Sequence, residues 1–404
     1  MADAAEDCPL PGLPGDARLS LEFQLLLACS FVPPETNEAS HADGIVGLCE
    51  SGLDWDGFVG LVDRHRVQGL AYFTLERYAG DRVPSTARAE LKERNRNVRI
   101  QALRHAAELA RLARRFDEKN IDLTPLKGTT LSTDLYGDPG LRQSRDIDLM
   151  VAVEDLDWAD RLLLSEGYER VFPDFEPTAK QKDCIRSFCH HYAYRHIERA
   201  VALELHWKFE LWTPEQTAEF RRCARPAERA GARVRSLDTG MLLVFLCDHG
   251  ARHRWFRVKW LSDVAALMAR CSKTDGERAV EAAERLDLLR PLAQAALLVH
   301  WLYDVPPAEP FAALIRRDGI AAVLARQAVK HILRSEGEHF HPSFGEKWKG
   351  RLYLMRLRRG IAHSHHLQKL FMDVEMWKRL PLPDGMFWLY YAFRPLAWFR
   401  RHYL

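Results

Sequence analysis

Hydrophobic and polar positions change their period along this chain. Residues 19–31 (LSLEFQLLLACSF) and 55–78 (WDGFVGLVDRHRVQGLAYFTLERY) carry apolar side chains at helical spacing. In the second run Phe58, Leu61, Val62, Val67, Leu70 and Phe73 fall near one stripe, as expected of a helix that buries one face. Between the two, PPETNEASHADG (33–44) has the composition of a loop. One long helix is predicted over 85–119, with Ser85 as N-cap and Leu103, Ala107, Leu109, Leu112 and Phe116 following the helical repeat.

The period then shortens. IDLTPLK (121–127) reads as a short strand running into Gly128, TTLSTDLYG (129–137) as a short helix and DPG (138–140) as a turn. RDIDLMVA (145–152) alternates like a strand. EDLDWADRLLLSEG (154–167) reads as a helix with Leu156, Leu163 and Leu164 inward and Gly167 as its stop. HHYAYRHIE (190–198) and VALELHW (201–207) read as two strands with a tight connection near Arg199–Ala200. From residue 212 the pattern is helical to the end, with breaks at Pro226, Pro291, Pro306–Pro307, Pro342 and Pro381–Pro383. The layout is a helical N-terminal region at 1–94 with a flexible tail at 1–17, an α/β core at 95–211 and a helical C-terminal region at 212–404. There is no internal repeat and no low-complexity tract.

Alternation in the strand at 145–152 turns Ile147, Leu149 and Val151 to a core and leaves Asp146 and Asp148 on the other face. Like charges on one face repel, and a buried carboxylate without a partner is costly. Alone, the pair beside Arg142 and Arg145 fits a solvated ion cluster as well as a site. Three neighbours change the picture. PLKGTT (125–130) places Lys127, Gly128 and Thr129 at a strand end and helix start, where a phosphate can approach backbone N–H groups. It is not the G-x-x-x-x-G-K-[ST] loop, so a P-loop fold is not supported. The acidic strand follows within 20 residues. On VALELHW, Glu204 and His206 share a face opposite Leu203, Leu205 and Trp207. Three carboxylates from two strands suit Mg2+, which takes oxygen ligands and keeps substrate phosphates in its shell. Two such ions about 4 Å apart can clamp the attacking and leaving oxygens of a phosphoryl or nucleotidyl transfer.

Composition narrows the class without choosing among enzymes. Apolar residues are 47% and charged residues 28% of 404, as in an ordinary globular chain. Lys plus Arg exceed Asp plus Glu by 58 to 56, so there is no overall polyelectrolyte character; the basic excess is local, 12 to 4 from Glu346 to Leu404. Eight cysteines have no repeating spacing. Cys184 and Cys189 ahead of His190 and His191 match no standard zinc spacing, and reduced thiols are the reading adopted. The N-terminus lacks the basic and apolar regions of a secretory signal. No apolar run reaches the roughly 18 residues that span a bilayer. A cytoplasmic protein is expected.

The order G-[ST], D-h-D, then a further acid on a later strand resembles the polymerase-beta-type nucleotidyltransferase superfamily. The chain is most similar to a bacterial branch, an uncharacterised nucleotidyltransferase family, through Leu126-Lys127-Gly128, Tyr136, Arg142, Asp146-Ile147-Asp148-Leu149 and Leu205-His206-Trp207. Residues 54–70, 242–264 and 393–404 also resemble it. The resemblance implies an α+β fold, a small mixed-sheet nucleotidyltransferase core between helical N- and C-terminal regions. It implies that Asp146, Asp148 and Glu204 hold two Mg2+ (or Mn2+) ions, with Glu204 a ligand or a base. Gly128 and Thr129 would cradle the triphosphate, Lys127 would reach a phosphate, and Arg142 or Arg145 would balance pyrophosphate. The implied activity is transfer of an NMP from an NTP such as ATP to an unidentified acceptor: a small molecule, a peptide or protein, or RNA. The alternative is a catalytically silent module that senses a nucleotide or binds a partner. Thr stands at 129 where many relatives have Ser, and Glu at 204 where many have Asp.

Other residues carry two readings each. His249 and His253 are i,i+4 and have a ligand spacing, but a structural or substrate-gripping role suits them better. His191 and His206 are placed at the substrate end of the site, and His191 fits a core or edge histidine equally. Asp263 is expected to pair with an arginine such as Arg254 or Arg257. The basic aromatic segments 347–360 and 386–404 fit helices packed on the core, with RNA or an anionic membrane surface as alternatives.

Overall fold

Five helices open the chain in the computed structural model, which describes residues 19–33, 35–229, 231–334, 344–358 and 374–394: α1 (Leu21–Ser30), α2 (Glu38–Cys49), α3 (Trp55–His65), α4 (Gln68–Tyr78) and α5 (Ser85–Glu118). Then come β1 (Thr124–Pro125), α6 (Thr129–Tyr136), β2 (Ile147–Met150), α7 (Leu156–Ser165), β3 (Glu169–Phe172) and α8 (Ala179–Phe188). A hairpin of β4 (His191–His196) and β5 (Val201–His206) is followed by α9 (Pro214–Cys223) and a second hairpin, β6 (Arg225–Arg229) and β7 (Ala232–Ser236). The rest is helical: α10 (Thr239–Arg252), α11 (Val258–Met268), α12 (Lys273–Arg285), α13 (Leu289–Tyr303), α14 (Phe311–Arg317), α15 (Gly319–Ile332), α16 (Phe344–Leu357) and α17 (Val374–Arg379). The class is α+β, a small mixed sheet with helical regions before and after it. Among the described residues no helix is long and apolar enough to cross a membrane. None of the seven described cysteines forms a disulfide.

The chain divides into two units, interleaved in sequence. The described residues within 1–106, 128–144 and 237–359 form a helical unit; those within 107–127, 145–236 and 360–404 form a unit built on the sheet.

In the helical unit, α10 starts where Asp238 accepts a hydrogen bond from the Met241 amide at 2.8 Å, an N-cap that satisfies one of the helix's free donors. The helix is buried on nearly all sides, with Leu243, Val244, Phe245 and Cys247 in the interior. The run 55–78 is two helices rather than one. Arg66 adopts a left-handed conformation (φ 58°) that ends α3, and α4 restarts at Gln68. Phe73, placed on the stripe by periodicity, is exposed as a result. Segment 33–44 is not a loop throughout, because α2 begins at Glu38. That helix buries only Ile45 and Cys49, which leaves little apolar signal to read.

In the sheet unit the strand order is β1-β2-β5-β4-β3. β2 and β5 run parallel, while β1–β2, β5–β4 and β4–β3 are antiparallel. One face of the sheet carries Ile147, Leu149, Leu203 and Leu205, packed with Leu112 and Phe116 of α5 and Leu156 and Leu163 of α7. Each such side chain contributes about 1.5–3 kcal/mol by leaving water. Leu103 and Leu164, expected inward, are exposed.

The strands extend beyond residue 211. β6 and β7 replace the helix expected there, turning at Gly231 (φ 73°), and Arg235 donates its amide to the Leu123 carbonyl at 2.7 Å. Met376, Trp377, Phe387 and Tyr390 are buried in the same core, and Tyr353 is buried against Gln294 in the helical unit. Of these, Tyr353, Phe387 and Tyr390 belong to the basic aromatic segments. Residues 1–17, Pro342, 359–360 and 395–404 lie outside the described residues.

Candidate active site

The parallel register of β2 and β5 sets Asp148 beside Glu204 and Met150 beside His206. The antiparallel register of β5 and β4 sets His191 opposite His206. Because side chains alternate along a strand, the leucines of these strands go to the core, and Asp148, Glu204, His206 and His191 share the other face. Three neighbouring strands thus deliver four chemically active side chains to one patch.

His206 is the hub of this patch. Its Nε2 lies 3.3 Å from Asp148 Oδ1 and 3.3 Å from Glu204 Oε2. Lys127, at the end of the segment that contains β1, puts Nζ 3.2 Å from the same Asp148 oxygen. His191 Nε2 is 3.9 Å from Glu204 Oε1. Asp148 and His206 are buried, and the Glu204 side chain is 32% exposed.

Burial alone pushes the Asp148 carboxyl up, but Lys127 and the His206 hydrogen bond outweigh it and hold the group well below the usual carboxylate range. Glu204 is lowered too, its burial and the Asp148 charge being overcome by His206 and His191. His206 is raised, because two carboxylates outweigh the cost of burying its charge. His191 is lowered, chiefly by burial. The patch therefore holds two acids kept ionised by the histidines and Lys127 around them. His191 Nδ1 and His206 Nδ1 are buried without a hydrogen-bond partner.

The remaining candidates are not part of this set of contacts as described. Asp146 is half-buried and stands one residue before β2, and Arg145 is exposed. Gly128 has φ 74° and ψ −136°, a conformation closed to other residues, and its carbonyl accepts the Ser132 amide at 3.1 Å to start α6. Thr129 is buried at the first helical position.

Arg142 needs correction. It is 3% exposed and its Nε bonds both oxygens of Asp263 at 3.0 and 2.8 Å, with Asp263 itself 1% exposed. Tyr136 donates its hydroxyl to Asp263 at 3.1 Å. Arg142, one of the two arginines expected to balance pyrophosphate, is an internal ion-pair partner within the helical unit. The partner of Asp263 is Arg142, not Arg254 or Arg257. His249 is half-buried on α10, with ring centroids 4.7 Å from His253 and 5.4 Å from Trp260.

Among the described residues, the group of His, Cys, Asp and Glu side chains whose ligand atoms lie within 4.8 Å of one another is His191, Glu204 and His206. Of the three acids expected to hold metal, Glu204 belongs to that group and Asp148 meets it through His206. The two histidines had been assigned to the substrate end of the site. Strand alternation shows their faces, but their approach depends on strand register.

A family model described as uncharacterised nucleotidyltransferase matches residues 51–304, more than half of the chain. The chain belongs to this family. The nucleotidyltransferase match takes in Lys127, Gly128, Asp146, Asp148, His191, Glu204 and His206, along with the buried Arg142–Asp263 pair. It ends before α14. No curated protein matches the chain. Among solved structures, an antigenic nucleotidyltransferase-like protein from Paracoccidioides brasiliensis is similar at 17% identity over 50% of this chain and 94% of its own, with a TM-score of 0.30.

Proposed function

We propose that this nucleotidyltransferase moves a nucleoside monophosphate from an NTP, ATP among the donors, to a hydroxyl of a separate acceptor. A bond forms between the acceptor oxygen and the α-phosphorus, the bond from that phosphorus to the bridging oxygen breaks, and pyrophosphate leaves. The observation that carries this reading is the in-register pairing of Asp148 with Glu204 on the polar face of the sheet.

The donor set fits a hard divalent cation. Asp148 and Glu204 are both held ionised, and carboxylate oxygens are the ligands Mg2+ or Mn2+ takes. Asp146, Asp148 and Glu204 would hold it, and when bound it supplies charge neutralisation at the transferred phosphoryl group. Lys127 keeps Asp148 neutralised in the absence of substrate and turns to a phosphate when the donor arrives. Gly128 and Thr129 receive the triphosphate at the start of α6, where unpaired N–H groups favour anions. Arg145, being exposed, balances the leaving pyrophosphate in place of the buried Arg142. Glu204, the more accessible acid, accepts the proton of the incoming hydroxyl.

The test is incubation of the full chain with each α-labelled NTP, Mg2+ and fractionated cell extract, followed by mass spectrometry of labelled products. Label transfer that disappears in Asp148→Asn and Glu204→Gln supports the reading. Calorimetric binding of NTP with no transfer in any fraction would replace it with nucleotide sensing. Neither binding nor transfer overturns both.

A further inference from the structure

We infer that His191, Glu204 and His206 form a binding site for a single borderline transition cation, with Zn2+ the best chemical match. This site differs in donor chemistry from the all-oxygen Mg2+ site of the proposed transfer. The binding claim stands on the geometry alone, and only its consequence for catalysis rests on the proposed function.

Spacing is the first support. A tetrahedral ion with ligand bonds of about 2.0–2.1 Å has ligand–ligand edges of about 3.4 Å. The Glu204 oxygens lie 3.3 Å from His206 Nε2 and 3.9 Å from His191 Nε2, so modest side-chain rotation closes the set. Backbone register holds the two imidazoles in place, because His191 and His206 are directly paired across β4 and β5, with ring centroids 5.2 Å apart.

The second support is the chemistry of the donor set. Asp148 lies 3.3 Å from the same His206 Nε2 that faces Glu204, so its carboxylate stands beside the proposed ion rather than behind the imidazole. Two imidazoles and one carboxylate suit Zn2+, Co2+ or Mn2+ far better than Mg2+, which rarely takes nitrogen. Three protein ligands leave a fourth position for water or a ligand group.

Glu204 belongs to both donor sets. Occupation by Zn2+ therefore withdraws it from the transfer reaction, and Zn2+ inhibits transfer supported by Mg2+.

Titration of the metal-free full chain with Co2+, followed by its visible absorption, tests the site. The expected result is one equivalent bound with tetrahedral-type intensity, displaced by stoichiometric Zn2+ and unaffected by millimolar Mg2+. His191→Gln and His206→Gln should each weaken binding by about a hundredfold or more, since even outer-shell changes cost up to that. Should His206→Gln fail to fold, as judged by circular dichroism, the partly exposed His191→Gln decides. Asp146→Asn should keep Co2+ binding intact while lacking transfer. No stoichiometric Co2+ binding, or binding unmoved by the His191 change, overturns the inference. Co2+ binding with no transfer under any condition leaves the site standing and removes the proposed reaction.

Discussion

Asp263 and Asp148 are both buried acids in contact with a cation, yet the two surroundings differ in kind. In the helical unit, Asp263 meets one guanidinium through both of its oxygens and receives a tyrosine hydroxyl as well. Charge and hydrogen-bonding capacity are matched there. In the sheet unit, Asp148 shares one oxygen between Lys127 and His206, and a second carboxylate competes for the same imidazole. Two nitrogens of that cluster have no partner. Burial of an acid therefore does not distinguish an anchor from a site. Surplus charge and unspent donor atoms do.

The sharpest way to break the comparison is Asp148→Asn. Transfer should fall by at least about a thousandfold, roughly 4 kcal/mol in transition-state stabilisation, while the urea midpoint moves little. If activity instead falls only in proportion to unfolding, Asp148 is another anchor. Asp263→Ala comes next. It leaves Arg142 buried and unpaired, and urea unfolding should report a loss of about 3 kcal/mol. Replacing both partners with Arg142→Met and Asp263→Leu should recover most of that loss; no recovery would show that the pair is more than a structural anchor.

A smaller effect is expected at the turn after Lys127. Gly128→Ala forces a side chain into φ 74°, at about 2 kcal/mol, read from the same unfolding curves. An unchanged midpoint would mean that the turn relaxes freely and does not hold its shape for a ligand.

The smallest effect separates two buried histidines. His206 is raised by carboxylates, whereas His65, buried beside Arg64 and Arg257 and accepting the Val258 amide at 3.1 Å, is lowered to about 3, chiefly by burial. The unfolded chain binds a proton on His65 near its ordinary value of 6.5, and the folded chain does not. Stability from this group is thus complete above pH 6.5 and declines as pH falls towards 3. Between pH 7.5 and 5.5 the decline amounts to about 1.4 kcal/mol. His65→Leu should remove that part of the pH slope, and an unaltered slope would contradict the assignment.

Much of this was readable from residue order. The change from helical to alternating period marked the sheet, and the alternation around Ile147 and Leu203 assigned Asp148, Glu204 and His206 to the non-core face. The hairpin at β6 and β7 was missed, although Ala232 and Val234 alternate with Arg233 and Arg235. Five residues with only Ala232 and Val234 apolar give a signal too weak to outvote the helical segments around them. The resemblance offered Arg142 or Arg145 for pyrophosphate, and nothing local marked Arg142 as one half of a buried ion pair. Its partner, Asp263, lies 121 residues away.

Strand faces were set by the sequence itself, since a period of two leaves a side chain only two directions. Register was not. A two-residue turn at Arg199–Ala200 would have put His191 opposite Lys208, whereas the observed connection at 197–200 puts it opposite His206. That shift of one residue on each strand keeps every side chain on its face while changing which side chains meet. Turn geometry and sheet packing settle register across the whole hairpin, and no local pattern of apolar and polar residues encodes it.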